Sequence, residues 1–268
     1  MDRFLILKAF LIGGSMLIPG VSGGTMSMIL GVYEKLIAAV SAPKKENLFF
    51  LLQFAAGAAA AFLLLAGPMA ALNRRFPQEM AFFVLGAILG GVPVIYKEAG
   101  NPPLSRKTMG YLGAGIFFVF LCRFLPGNIF GEAANTPLSF LVQFLAGVLG
   151  ALALVLPGIS FSSMLYMMGV YDFVLRAMGK GQFVLMLPFL TGILAGVFCL
   201  TRFLAKAMKQ HPTVSYMVIL GFVTASLWDI FEALPAMPAG ERLVLCLFLS
   251  ISGFLITWLL SKADSSVD

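Results

Sequence analysis

Two short stretches of the chain place hydroxyl groups and glycines directly behind a helix-breaking proline. The first is Pro19-Gly20-Val21-Ser22-Gly23-Gly24-Thr25, the second Pro157-Gly158-Ile159-Ser160-Phe161-Ser162-Ser163. A helix that starts behind such a break exposes N–H groups with no intrahelical acceptor. Serine and threonine hydroxyls suit its cap, and glycines let the backbone come close to a bound group. The positive end of the helix dipole completes a site for an anion, either a phosphate or a carboxylate. The candidate phosphate contacts are therefore Ser22, Gly23, Gly24 and Thr25 in one stretch and Ser160, Ser162 and Ser163 in the other. Pro19, Gly20, Pro157 and Gly158 shape the tips. The same residues also suit a mere kink, with each hydroxyl bonded to the preceding turn. Their occurrence twice favours a functional discontinuity.

Charged residues within apolar runs are the next candidates, because charge inside a membrane is costly and commonly functional. Arg202 follows "GVFCLT" and Arg123 follows "FFVFLC". Each suits either neutralisation of a phosphate or a snorkel to the interface. Glu34 and Asp172 stand at matching places after the two stretches, as ion couplers for protons or sodium or as residues at a membrane face. Tyr33 and Tyr171, beside them, read as interface-belt residues. Metal chemistry has little material: there are three cysteines and one histidine, without metal-ligand spacing. No metal or cofactor is expected. The basic residues stand singly or in pairs at the ends of apolar segments, so the net charge of +6 does not indicate nucleic acid.

The elements that position these residues belong to an all-α polytopic membrane protein. The chain is 60% hydrophobic and 11% charged, against roughly 25% charged in soluble domains. Placing Pro19 over Pro157 also matches Ser22 with Ser160, Met26 with Met164, and Gly31-Val32-Tyr33 with Gly169-Val170-Tyr171. At a slightly shorter offset Gly57 falls on Gly192, Pro77 on Pro212 and Gly86 on Gly221. The chain reads as a duplicated unit, 1–133 and 134–268, divided near the polar stretch Gly127 to Pro137. Each half has a broken hairpin followed by three spanning segments. These run about Leu48 to Leu72, Met80 to Tyr96 and Thr108 to Leu125, then Phe183 to Met208, Val214 to Phe231 and Leu243 to Leu260. Each is near the ~20 residues a crossing requires.

The hairpin arms are Phe4 to Ile18 with Thr25 to Val40, and Leu138 to Leu156 with Ser163 to Met178. They suit a re-entrant hairpin, or two full crossings joined by a tight turn. Either makes an even number of passes, so three further crossings insert the second half upside down. The expected architecture is an inverted-topology repeat with six spanning helices, which would bring two helix starts together near the midplane. The first residues imitate a signal peptide, but the cleavage pattern is poor and they read as retained structure. With the N-terminus inside, most of the 18 lysines and arginines fall on the cytoplasmic side, which favours both termini there.

The paired "PGVSGGT…GVYEKL" and "PGISFSS…GVYDFV" resemble the bacterial PopT family, over essentially the whole chain. That resemblance implies transport of undecaprenyl phosphate, the C55 carrier lipid, from the outer to the inner leaflet of the cytoplasmic membrane for reuse in cell-envelope polymers. One departure is Phe161, where such motifs carry a small residue, and it makes the first copy the principal phosphate contact. Integral-membrane undecaprenyl pyrophosphate phosphatases also resemble this pattern, but they carry "PGxSRS" and paired glutamates. Here Gly23 and Phe161 replace that arginine, which removes the main stabiliser of phosphoryl transfer. A transporter of a small soluble anion would use the same helix starts. Oligomeric state is not written in the sequence.

Overall fold

The structure, a computed structural model, describes residues 4–18, 21–42, 44–124, 139–179, 182–232, 234 and 236–264. Every element among them is helical. Pro19, Gly20 and the expected boundary at 133/134 lie outside the described residues, as do the side chains of Arg123, Ser162 and Ser163.

The first arm is α1, Leu5–Ser15, and the chain resumes as α2, Gly23–Ile29. The expected second arm is not one helix. It breaks again at Gly31, whose φ of 66° no β-branched or bulky residue takes readily, before α3, Tyr33–Ser41. The second half does the same: α7, Ser139–Val155, then α8, Phe161–Met168, a corner at Gly169 (φ 72°), and α9, Tyr171–Gly179. Apolar continuity hid this corner, and the repeated Gly-Val-Tyr marks it.

The remaining helices are α4, Lys45–Arg75, α5, Pro77–Glu98, and α6, Arg106–Phe124. In the second half they are α10, Leu187–Gln210, α11, Pro212–Glu232, and α12, Glu241–Asp264. Pro77 and Pro212 each open a helix, where a missing N–H costs nothing. Just before them the Phe76 N–H donates to the Leu72 carbonyl and the His211 N–H to the Ala207 carbonyl, both at 2.8 Å. Among the described residues, five segments are long and apolar enough to cross a membrane: Lys45–Arg75, Pro77–Glu98, Val184–Gln210, Pro212–Glu232 and Glu241–Leu260. The sixth expected span, α6, is a 19-residue helix with basic residues at both ends and is not among them.

Packing is set by glycines that let backbones touch. α1 lies on α4 and α7 on α10, while α5 pairs with α12 and α6 with α11 across the halves. A Cβ on Gly57 would stand 2.6 Å from the Ile6 carbonyl oxygen, and one on Gly192 2.1 Å from that of Phe144. At Gly86 it would meet the Ser250 oxygen at 1.8 Å, and at Gly221 the Leu112 oxygen at 2.2 Å. A Cβ on Gly253 would likewise run into the Phe83 carbonyl oxygen, and one on Gly115 into that of Val218. Exchanging the two halves carries each of these contacts onto its partner. α5 and α11 occupy the centre of the buried core. The outer helices expose leucines and phenylalanines, as a lipid-facing surface requires. At one end of the frame the Arg242 guanidinium holds the buried Glu79 at 3.0 Å and ties α12 to α5.

Candidate functional site

Both breaks are real interruptions, and the two tips touch. Ser22 has an extended backbone (φ −90°, ψ 131°), and its carbonyl accepts the Met26 N–H to open α2. Ser160 takes the same position before α8, with its carbonyl accepting the Met164 N–H. The N–H groups of Gly23, Gly24 and Thr25 therefore have no intrahelical acceptor. A Cβ on Gly24 would lie 3.2 Å from Pro157 Cα, so a side chain here would press the tips apart by a few tenths of an ångström.

Thr25 closes the joint. It is fully buried, and its hydroxyl accepts the Gly158 N–H at 3.0 Å. The sequence reading gave Thr25 to a ligand; here its oxygen joins the halves. Ser22, expected to cap α2, makes no side-chain cap bond, and with Gly23 and Gly24 it remains partly exposed. The surface offered by the first tip is therefore Ser22 with the amides that follow it, while Thr25 sets the spacing beneath.

The other sequence candidates sit elsewhere. Arg202 is exposed, and its Nε donates to the Ser41 carbonyl at 3.1 Å, with its guanidinium 3.9 Å from the Phe198 ring centroid. It thus binds the last turn of α3, where a cation meets the negative end of the dipole. That is the end of the arm remote from Ser22. Glu34 opens α3 and accepts the Tyr216 hydroxyl of α11. Asp172 is exposed on α9, where its backbone carbonyl accepts the Arg176 Nε–H.

Two tyrosines carry contacts that sequence reasoning missed. Tyr33 does not sit in an interface belt. It is buried, and its hydroxyl donates to the Val155 carbonyl at 2.7 Å, at the end of α7. The duplicated Gly-Val-Tyr was the available signal. Tyr216 is also buried, and no spacing linked it to Glu34. Together Thr25, Tyr33, Glu34 and Ser41 dock the first hairpin on the second half.

A family profile described as "Undecaprenyl phosphate translocase-like" matches residues 12–237. A polyprenyl-phosphate transporter of Staphylococcus aureus is 30% identical, over 96% of this chain and 95% of that protein. A polyprenyl-phosphate transporter of Vibrio cholerae is 25% identical, over 82% of this chain and 75% of its own length. No solved structure matches the chain at a significant level.

Proposed function

The chain belongs to the undecaprenyl phosphate translocase-like family, and on that premise we propose that it flips undecaprenyl phosphate between membrane leaflets. It is a membrane transporter of polyprenyl phosphate rather than an enzyme, as its relatives' names indicate. In our reading it returns the carrier from the outer to the inner leaflet of the bacterial cytoplasmic membrane. The two halves are inserted in opposite senses, with both termini in the cytoplasm. The observation that carries this reading is the joint between the tips, where the Gly158 N–H meets the Thr25 hydroxyl.

A polyprenyl phosphate needs help only at its head. The chain stays in hydrocarbon throughout, but a phosphate cannot cross it unpaired. Two interrupted helices meeting within the protein supply amide donors and two dipole ends that lipid cannot. Ser22 adds a hydroxyl on the exposed side of that meeting point. Access alternating from one leaflet to the other moves the head while the tail swings outside. The matched acids Glu34 and Asp172 are the candidate couplers for protons or sodium.

The test is leaflet-resolved movement of C55-phosphate by the purified protein in proteoliposomes, with and without imposed proton or sodium gradients. Protein-dependent movement supports the reading. Movement of a soluble organophosphate in its place, or of neither, overturns it. Ser22→Ala is expected to slow transport about tenfold with membrane abundance unchanged, the scale of one hydrogen bond to a charged group. Glu34→Gln combined with Asp172→Asn is expected to remove the stimulation by a gradient. A stimulation equal to wild type rules both acids out as couplers.

A further inference from the structure

The glycine contacts between the frame helices repeat when the halves are exchanged, and the contacts of the second hairpin arms do not. Tyr33 is buried on the Val155 carbonyl, and α3 packs along α10. The counterpart of Tyr33 is Tyr171, half-buried and stacked on the exposed Tyr166 with ring centroids 3.9 Å apart. Its helix α9 packs on α8 and on the turn at Phe183–Met186, where symmetry would have seated it along α4. A difference in seating between equivalent arms is what alternating access requires of any single state.

We infer that this structure is one of two exchange-related states in which the corner tyrosines take turns. Tyr33 holds the Val155 carbonyl here, and Tyr171 takes the equivalent carbonyl, that of Leu17, in the other. This rests on the inverted-repeat transport reading above. The exchange is chemically complete at the tyrosines, because each half supplies one tyrosine and one backbone acceptor at the end of the opposing first arm. It is incomplete elsewhere. Tyr216, which holds Glu34, has Ala81 as its counterpart, and Arg202, which holds Ser41, has Gly67. The present state therefore has two contacts that its mirror cannot form, which makes it the resting one. Given the proposed orientation, α3 closes the cytoplasmic side here, and the seam between α9 and α4 is where the lipid enters from the outer leaflet.

Amide hydrogen exchange on the purified protein in lipid nanodiscs tests this, because a shift between states moves protection from one arm to the other. Tyr33→Phe is expected to speed exchange in 33–41 and, at the same time, slow it in 171–179, each at least threefold. Faster exchange in 33–41 without slowing in 171–179 means that Tyr33 only anchors its own helix, and overturns the proposal. If Tyr33→Phe does not fold, Tyr171→Phe decides. It removes a bond formed only in the mirror state, so the resting exchange pattern stays at wild type while C55-phosphate transport falls at least fivefold. Wild-type transport by Tyr171→Phe overturns the proposal. Reciprocal exchange in a protein that moves no polyprenyl phosphate instead leaves the switch standing and removes the proposed substrate.

Discussion

Gly158→Ala is expected to abolish transport and sharply lower the amount of folded protein in the membrane. Three constraints meet at this residue. Its φ is +80°, a conformation that costs a residue with a side chain about 1–3 kcal/mol. An added Cβ would stand 2.2 Å from the Phe222 carbonyl oxygen, on the backbone of the central helix α11. That oxygen cannot yield like the end of a flexible side chain, so the tip itself has to lift. Lifting it withdraws the Gly158 N–H from Thr25, and orphaning a buried donor costs about 1–3 kcal/mol. Single-domain stabilities are roughly 5–15 kcal/mol, so the combined loss is a large share. Membrane abundance, a detergent melting curve and proteoliposome transport all read it. Gly240→Ala separates the causes, since Gly240 also has a positive φ (59°) but nothing within 4 Å of its Cβ position. It should lower the melting temperature slightly and leave transport intact. Normal transport by Gly158→Ala would mean the tip does not bear on α11 or Thr25 during function.

The breaks at Ser22 and Ser160 were legible because a break inside an apolar run needs unusual residues, and proline, glycine and serine are those residues. The helix pairing was half legible. Gly86 and Gly221 align in the sequence, but their partners Ser250 and Leu112 lie far along the chain and carry no local signal. Thr25 shows the limit at the site itself. A hydroxyl behind Pro-Gly suits a ligand, a cap or a joint, and only the opposing tip decides which. Tyr33 was read from the general habit of tyrosines at membrane interfaces. A buried carbonyl at the end of α7, 122 residues away, overrides that habit. Arg202 stands out in the sequence as a charge after an apolar run, but its partner is the end of α3, a position set by the corner at Gly31 that the apolar pattern concealed.

Valine at Gly86 or at Gly221 is expected to be as damaging as any change in the spanning helices, and the two should be damaging to a similar degree. A Cβ at Gly86 would stand 1.8 Å from the Ser250 oxygen and one at Gly221 2.2 Å from the Leu112 oxygen, so both clash with backbone. Overpacking of side chains typically costs 1–3 kcal/mol. A backbone clash costs more, because whole helices must separate and the contacts on either side go with them. In lipid there is little hydrophobic drive between helices, so close packing carries much of their association. Separation of α5 from α12 also strains the Arg242–Glu79 pair at one end. Separation of α6 from α11 instead disturbs the helix against which Gly158 rests. Gly110→Ala in α6 is the control, with nothing within 4 Å of its Cβ position, and it should leave melting temperature and transport near wild type. Similar losses at Gly86 and Gly221 mean that the two inter-half interfaces carry equivalent loads, as a frame shared by two exchange-related states must. A severe loss at one and near-normal behaviour at the other would break that equivalence, and the alternation of Tyr33 and Tyr171 would lose the symmetric frame it needs.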